Sequence, residues 1–307
     1  MFRLGLLGAG RMGRTHLRAL KDAGDVAVTA VAEPIEALRD EVAAAYGIVS
    51  YPSLDDLLQA DLVDAVLVAT PSDTHLGVIR GVVQAKLPIL CEKPCGVDPA
   101  DTRLAQKLVS DAGVALQVAY WRRFVPELQL LRARVIDGEF GEVLALSCLQ
   151  WDGEPPPAAF RARSGGVLVD MGVHEFDQAR WLAGSDFTCL HAAASPVITD
   201  PEVRDDPDSV QVLGSLKSGA TAFVSLGRHF AGGDMASVEI FGTRDHVYKA
   251  FLNPTDGERT QFDALRRQAR AFARFAQGDQ CIGATIEDAV SALEAATEAT
   301  RQISGEG

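Results

Sequence analysis

A glycine-rich turn near the N-terminus is the feature that most constrains the fold of this chain. Residues 8–13 read Gly-Ala-Gly-Arg-Met-Gly; they end an apolar run at Leu4–Gly8 and lead into a helical pattern at Arg14–Ala23. In a strand–turn–helix unit, Gly8 permits the tight turn, Gly10 lets the backbone approach a pyrophosphate, and Gly13 allows close packing of helix on strand. The helix N-terminus then offers N–H groups to phosphate. The pattern predicts a dinucleotide site.

An acidic residue at the end of the next strand supports this interpretation. Glu33 follows Gly13 by 20 residues and directly follows the β-branched run Val26–Ala32. A carboxylate at this position accepts hydrogen bonds from the ribose hydroxyls and repels a 2′-phosphate. The next residues, beginning with Pro34, include no immediate Arg or Lys, so NAD is favoured over NADP. The alternative is an acidic residue at a helix start.

The order of predicted elements indicates two domains. Short apolar runs alternate with helical patterns up to about residue 120, which predicts a parallel sheet covered on both faces. From Trp121 onwards, strand-like runs such as Val143–Trp151 follow one another with few helices between them. This rhythm predicts an α+β domain with an antiparallel or mixed sheet. We therefore predict an α/β protein with a dinucleotide-binding domain at 1–120 and a substrate-binding and oligomerisation domain at 121–307.

The net charge, the lengths of the apolar runs and the spacing of Cys and His limit the partners and the compartment expected for this chain. The formal net charge is −13 over 307 residues, which argues against nucleic acid or an anionic membrane as the main partner. No run approaches the roughly 18 apolar residues of a spanning helix, and the N-terminus is interpreted as a strand rather than a signal peptide. The five cysteines and six histidines show no spacing typical of a disulfide framework or a metal site. We expect a cytoplasmic protein without a metal.

Two loops follow predicted strands at the edge of the sheet where ligands of such folds bind. One is Ala69–His75, and the other is Glu92-Lys93-Pro94. The alternative for the first loop is a helix cap at Ser72 or Asp73, and for Lys93 it is a solvated surface charge. The predicted cofactor-binding residues are Gly8, Gly10, Arg11, Met12, Gly13, Glu33, Thr70, Pro71, His75, Glu92 and Lys93.

Three motifs together resemble one known family. The glycine turn at 8–13, Glu92-Lys93-Pro94, and the segment Gly165–Asp177, which carries a D-x-x-x-H-x-x-D pattern, occur in order and at similar spacing in the Gfo/Idh/MocA oxidoreductases. That family includes glucose–fructose oxidoreductase and inositol dehydrogenases. The resemblance implies an N-terminal Rossmann domain and a C-terminal domain with a large open sheet. It also implies a homodimer or homotetramer formed through that sheet.

The resemblance further implies a catalytic group of Lys93, Asp170 and His174. The residues themselves agree with this, since Asp170, His174 and Asp177 fall at i, i+4 and i+7 on one helix face. His174 is the expected general base for a hydroxyl proton, Asp170 orients its imidazole, and Lys93 stabilises the developing alkoxide. Hydride passes to the nicotinamide. The alternative is a surface ion pair, or a buried histidine satisfied by aspartate.

The expected substrate is a polyol or sugar, with an inositol or an aldose as the first choice. Arg123 lies in a Tyr-Trp-Arg-Arg-Phe stretch similar to a substrate-contacting segment of the family, although Trp121 departs from the usual small or polar residue. Asp152 begins a loop similar to one that binds ring hydroxyls in inositol dehydrogenases; the alternative is an exposed proline linker. The predicted substrate-binding residues are Lys93, Arg123, Asp152, Asp170, His174 and Asp177.

Two other functions remain open at this point. One is an NAD-dependent glycosidase of the same family, and the other is a non-catalytic NAD-sensing regulator. The presence of Lys93, Asp170 and His174 favours a plain dehydrogenase.

Overall fold

The computed structural model describes residues 1–195, 197 and 206–305, and the chain divides into two compact units. The first unit comprises Met1–Phe124 together with Phe262–Val290, and the second comprises Val125–Gln261 together with Ser291–Gly307. Residues 121–307 were predicted to form a single domain. The structure instead packs a late segment of the chain with the nucleotide-binding half.

The first unit contains a six-stranded parallel sheet in the order β3-β2-β1-β4-β5-β6. This order reverses beside β1, and such a reversal creates a crevice for a dinucleotide in wound sheets. The predicted parallel α/β fold is confirmed, and the bounds of β2 are those predicted. The strands are β1 (Phe2–Leu7), β2 (Val26–Ala32), β3 (Val49–Tyr51), β4 (Ala65–Val68), β5 (Ile89–Cys91) and β6 (Leu116–Val118).

Helices connect these strands and cover the sheet. They are α1 (Arg11–Leu20), α2 (Glu36–Tyr46), α3 (Leu54–Gln59), α4 (His75–Gln84) and α5 (Pro99–Ala112), and α9 (Gly257–Ala276) adds its residues from Phe262 onwards. The prediction started α1 at Arg14, but the helix begins three residues earlier because Gly10 is its N-cap. α5 was not predicted, although Asp98 caps it, Pro99 begins it and Gly113 ends it, which are ordinary boundary signals.

The late segment belongs to the first unit because it supplies part of that unit's core. Ala269 and Phe272 of α9 are fully buried in the cluster that also holds Phe2 and Leu4 of β1. The rings of Phe2 and Phe272 meet edge to face with centroids 6.3 Å apart. This apolar contact is long-range in sequence, so no local pattern could indicate it.

The second unit contains a mixed six-stranded sheet in the order β12-β11-β7-β10-β9-β8. Only β7 and β10 pair in parallel, while the other neighbours are antiparallel. The predicted mixed sheet is confirmed, although β12 was not foreseen. The strands are β7 (Val143–Trp151), β8 (Phe187–Ser195), β9 (Ser209–Leu216), β10 (Thr221–Gly227), β11 (Met235–Gly242) and β12 (His246–Leu252).

One face of this second sheet is buried and the other is exposed. Leu146, Val212, Val224 and Val238 on the buried face have almost no accessible surface. The opposite face carries several large exposed apolar side chains, namely Leu213, Phe223, Phe241 and Tyr248. Helices of the unit are α6 (Pro126–Ile136), α7 (Ala158–Arg161), α8 (Val173–Ala183) and the end of α10 (Ile286–Ile303). In the described ranges, no helix is both long and apolar enough to cross a membrane.

Candidate cofactor site and catalytic residues

The glycine turn has the geometry that its sequence predicts. Gly8 has a φ of +95°, and a Cβ there would lie 2.7 Å from the carbonyl oxygen of Ala69. A Cβ on Gly13 would collide with the carbonyl oxygen of Gly8, so helix and strand touch at this point. A Cβ on Gly10, by contrast, would meet nothing within 4 Å. The open space is therefore at the residue where α1 begins and its first N–H groups are available to an anion.

Glu33 lies directly beside this turn. Its side chain is buried, and its Oε2 accepts a hydrogen bond from the Ala9 N–H at 2.8 Å. Oε1 accepts another from the Ile35 N–H at 3.0 Å. Because each carboxylate oxygen has a second lone pair, these bonds orient the group and leave capacity to accept ribose hydroxyls. The open space at Gly10, at the start of α1, and the oriented carboxylate of Glu33 both fit a dinucleotide.

The loop after β4 carries Thr70 and Pro71 at the same edge of the sheet. Thr70 is half-buried and Pro71 is exposed. The Thr74 hydroxyl donates to the Pro71 carbonyl at 2.7 Å and lies 2.8 Å from the Thr70 hydroxyl, closing a short 3₁₀ turn at Ser72–Thr74. The turn leads directly into α4. Thr70 and Pro71 are therefore placed where a cofactor could contact them.

His75 lies below this loop rather than at its surface. Its ring is fully buried, with Nδ1 2.8 Å from the Pro94 carbonyl oxygen and Nε2 2.9 Å from the Thr70 carbonyl oxygen. Burial lowers the pKa of His75, although the contacts with the two carbonyl oxygens act in the opposite direction. A ligand could touch this imidazole only if the loop moved, so the structure does not place His75 in contact with a cofactor. The imidazole instead contacts the main chain of Thr70 and of Pro94.

The Glu92-Lys93-Pro94 segment follows β5, with a cis peptide bond between Lys93 and Pro94. Of its side chains only that of Lys93 is partly exposed, while Glu92 and Pro94 are buried. Glu92 turns inward, and its Oε1 lies 2.6 Å from Nε2 of His16 on α1. Burial opposes the charged form of Glu92, but the hydrogen bond to His16 prevails and holds its pKa below the usual range. Lys93 is thus the residue presented at the edge of the sheet, whereas the Glu92 side chain, predicted to contact the cofactor, is instead bonded to His16 in the interior.

Arg11 and Met12 occupy the first turn of α1. Arg11 is exposed and Met12 is half-buried, so both can meet a ligand at the glycine turn.

Arg123, in contrast, is already held by protein groups. Its Nη2 lies 3.1 Å from Asp288 and its Nη1 donates to the Gly283 carbonyl oxygen at 3.4 Å, all within the first unit. This ion pair accounts for the buried arginine without a ligand, and its contact with substrate stays a prediction.

In the second unit, the D-x-x-x-H-x-x-D pattern spans a change of helix type. Asp170 lies in a π-helical segment, Leu168–Gly172, which runs directly into α8. The prediction assumed one continuous α-helix for Asp170, His174 and Asp177. A π-helical turn contains more residues than an α-helical turn, so the direction of Asp170 relative to His174 differs from that in a continuous α-helix. Such π segments are frequent at functional sites. All three side chains are buried, with at most 9% of the residue surface exposed.

A buried arginine that sequence reasoning missed holds Asp170. Arg228 follows β10 and is 1% exposed, with Nη1 3.5 Å from Asp170 Oδ2 and Nε 3.0 Å from Asp206 Oδ2. Asp206 Oδ1 in turn accepts the Val167 N–H at 2.8 Å, just before the π segment. Arg161 lies 3.6 Å from the same aspartate. The only sequence signal was a charge directly after an apolar strand, at the strand end where Asp152 also lies.

Asp152 follows β7, and its N–H donates to the Gly227 carbonyl oxygen at the end of β10. Burial raises the pKa of Asp152, and the charges of Asp234 and Asp170 raise it further, against a hydrogen bond from Gln150 Nε2 at 3.0 Å. Asp152 is therefore near Asp170 in the second unit. The loop it begins is largely half-buried, which disfavours the alternative of an exposed linker.

The predicted residues fall into one set in each unit. The first unit brings the glycine turn, Glu33, the loop at Thr70 and Lys93 to one edge of its sheet. The second unit carries Asp170, His174 and Asp177 along the π segment and α8, and Arg228 contacts Asp170, which also acts electrostatically on Asp152. Among the residues that the structure describes, no group of three or more His, Cys, Asp or Glu side chains is placed to hold a metal ion.

Comparison with known proteins agrees with both units. Residues 2–120 match the model of an oxidoreductase family with an NAD-binding Rossmann fold, and residues 128–248 match the GFO/IDH/MocA C-terminal domain. The chain is 46% identical to the rhizopine catabolism protein MocA of Rhizobium meliloti, over 99% of this chain and 95% of that protein. It is 33% identical to an inositol 2-dehydrogenase of Rhizobium meliloti (strain 1021), over 96% and 90% of the two chains.

Solved structures show the same similarity. The crystal structure of a myo-inositol dehydrogenase from Corynebacterium glutamicum ATCC 13032 superimposes with a TM-score of 0.90 at 25% identity, covering 100% of this chain and 97% of that one. The resemblance that the glycine turn, the Glu-Lys-Pro segment and the Asp-His pattern indicated is thereby confirmed. This chain belongs to the Gfo/Idh/MocA family of oxidoreductases, which binds its cofactor in an N-terminal NAD-binding Rossmann fold.

Proposed function

We propose that this protein is an NAD-dependent dehydrogenase that oxidises a secondary alcohol of a polyol or sugar, with an inositol-like ring as the first candidate. The observation that carries the proposal is that Asp170 and His174, four residues apart where the π segment meets α8, are both buried in a chain whose other unit has an intact dinucleotide turn. Relatives named inositol 2-dehydrogenase support the substrate class.

The cofactor is held by main chain and by one carboxylate. N–H groups at the start of α1, around Gly10, bind the pyrophosphate, and Glu33 accepts hydrogen bonds from the adenosine ribose. When bound, the cofactor supplies a nicotinamide ring that accepts hydride. Glu33 favours NAD over NADP, because a 2′-phosphate beside a buried carboxylate meets charge repulsion.

We expect Glu33→Ala to weaken NAD binding by about 10-fold or more, since a hydrogen bond to a charged group is worth roughly 1.5–3 kcal/mol and 1.4 kcal/mol corresponds to a factor of 10. NADP binding should fall less or improve. Titration of both cofactors by intrinsic fluorescence or calorimetry measures the two dissociation constants. Glu36→Ala, an exposed acid at the start of α2, is the matched control. Equal losses for both cofactors would contradict the assignment.

His174, Asp170 and Lys93 divide the chemistry at the alcohol. His174 accepts the hydroxyl proton, for which an imidazole is suited because its ordinary pKa lies near neutrality. Asp170, itself held by Arg228, orients the imidazole and favours its charged form. Lys93 donates a hydrogen bond to the same oxygen and stabilises the negative charge that develops there. The protein's own residues thus move the proton and stabilise the charge.

A ring with several hydroxyl groups suits the carboxylates of the second unit. Asp152 and Asp177 accept hydrogen bonds from hydroxyl donors, and we propose that they select a substrate by the positions of its hydroxyls. A site built for such bonds discriminates strongly against analogues that lack one hydroxyl, because its buried acceptors then remain unpaired. Arg123 reaches the substrate only if its ion pair with Asp288 opens.

A steady-state assay tests the function. Purified protein is mixed with NAD and a panel of inositols, aldoses and aldonic acids, and formation of NADH is followed by absorbance. NADH formation with a polyol or sugar supports the proposal. Release of free sugar from a glycoside without net NADH would instead identify the glycosidase alternative. Tight NAD binding without turnover of any panel member would favour the regulator.

We also propose that the exposed face of the second sheet pairs two copies of the chain. One row across this face runs His191, Leu213, Phe223, Ser147, Glu239 and Tyr248. Leu213 and Phe223 are neighbours in this row, and Phe241 and Tyr248 are exposed on the same face. Exposed apolar patches mark interaction surfaces, and the family's open sheet supplies the expected partner, a second copy in a homodimer or homotetramer.

The five cysteines are free, which favours the cytoplasm as the compartment.

The oligomer is tested by substitution on this face. Phe223 is on β10, a strand in the interior of the sheet. Phe223→Glu should shift the oligomer towards smaller species, because a charge would be buried at the contact between copies. Sedimentation velocity measures the change. Leu130→Glu, at a more exposed apolar position on α6, should leave the mass unaltered. A wild-type monomer at micromolar concentration would contradict the proposal.

A further inference from the structure

A buried histidine lies beneath the Glu92-Lys93-Pro94 segment, and the proposed reaction does not use it directly. His16 on α1 has no accessible surface, and Glu92 is only 4% exposed. His16 Nε2 and Glu92 Oε1 are 2.6 Å apart, and Glu92 Oε2 accepts the Lys93 N–H at 3.2 Å. A continuous set of hydrogen bonds therefore runs from helix α1, through one carboxylate, to the main chain of Lys93.

The segment is held from a second side as well. His75 of α4 lies 2.8 Å from the Pro94 carbonyl oxygen through Nδ1, and its Nε2 lies 2.9 Å from the Thr70 carbonyl oxygen. Two buried imidazoles from two helices thus bracket the residues on either side of Lys93. Within the segment, Lys93 alone keeps part of its side chain exposed.

We propose that His16 is a positioning residue for the reaction, which acts through Glu92 to fix the backbone that carries Lys93. This inference rests on the proposed dehydrogenase function for its kinetic consequence, but its structural part does not. A displacement of about 1 Å in a reacting group can cost about 100-fold in rate. A lysine on a mobile loop would donate to the substrate oxygen less often.

Stability alone is a poor explanation for this buried pair. Removing a histidine and a carboxylate from water carries a desolvation cost, and replacing a buried ion pair by apolar residues of similar volume is often neutral or stabilising. A pair with a purely structural role could therefore be exchanged for leucine and methionine without loss. If turnover is retained after such an exchange, the pair serves packing alone; if turnover is lost while the fold is kept, the pair positions Lys93.

The decisive variant is therefore the double replacement His16→Leu with Glu92→Met. We expect it to fold with a melting temperature near that of the wild type while kcat falls by about 10- to 100-fold. The dissociation constant for NAD should change by less than about 3-fold, because the glycine turn and Glu33 are untouched and the Glu92 carboxylate is buried against His16. His16→Gln keeps a donor in reach of Glu92 and should recover most of kcat. Thr15→Val, on the same helix and buried, is the matched control.

Hydrogen–deuterium exchange of residues 91–96 supplies a readout that does not need turnover. Exchange there should rise in the double variant and not in Thr15→Val. A double variant with kcat within about 2-fold of wild type, or with unchanged exchange in this segment, overturns the inference. If the wild type reduces no NAD with any panel member, the proposed function is wrong, and the exchange data still decide whether His16 fixes the loop.

Discussion

Replacing His174 with alanine should lower kcat by about 100- to 10,000-fold, the range that loss of a general acid–base typically costs. The alcohol then loses the base proposed to take its proton, and hydride transfer from the neutral alcohol is much slower than transfer coupled to loss of that proton. NAD binding should be retained, because His174 belongs to the second unit and the dinucleotide turn to the first. Steady-state kinetics on the best polyol from the panel, with a parallel NAD titration, provides the measurement.

His246→Ala serves as the control for this experiment. His246 is an exposed histidine on β12 with a carboxylate partner, Glu239, 2.8 Å away, so it shares the His–carboxylate chemistry of His174 without a place in the proposed site. Its turnover should match that of the wild type. A His174→Ala enzyme with near-normal turnover on the same substrate would show that another group takes the proton.

Local sequence patterns predicted the elements whose signals lie within the element. β2 and β7 have the predicted bounds because their apolar and β-branched runs end at polar or turn residues. The glycine turn at 8–13 marks the junction of β1 and α1, although α1 begins three residues before its predicted start. β12 was missed although the residues between His246 and Leu252 are mostly apolar or aromatic, as in a strand. α5 was missed although Asp98, Pro99 and Gly113 mark its ends.

Features that depend on distant contacts could not be predicted in this way. The packing of Phe272 against Phe2 joins residues 270 positions apart, so α9 was assigned to the second domain by its place in the chain. The π segment at Asp170 has no local sequence signature. Its widened turn is visible only in the folded backbone.

The candidate site shows the same division. The glycines, Glu33, Lys93, Asp170 and His174 were identified because they occur in recognisable motifs at fixed spacing. Arg228 and Asp206 belong to no motif, and the fold brings them to Asp170 from 58 and 36 positions away. His16 was set aside as structural, since nothing in the sequence relates it to Glu92, 76 residues later.

Replacing Arg228 with methionine should lower the free energy of unfolding by about 3–5 kcal/mol, because removing one partner of a buried ion pair leaves an uncompensated charge. Asp170 loses its guanidinium contact, and Asp206, itself almost fully buried, keeps only the longer contact with Arg161 at 3.6 Å. Chemical denaturation followed by fluorescence measures the loss. Turnover should fall too, since the carboxylate that orients His174 is no longer held.

A second substitution separates these two effects. Adding Asp206→Asn to Arg228→Met removes the stranded charge but keeps an oxygen for the Val167 N–H, so most of the lost stability should return. Turnover should stay low, because Asp170 still lacks its arginine. Arg228→Lys keeps the positive charge without the forked geometry and should lie between the two in kcat. If the double variant regained full turnover along with its stability, Arg228 would serve only to neutralise Asp206, and the orientation of Asp170 would have to come from elsewhere in the second unit.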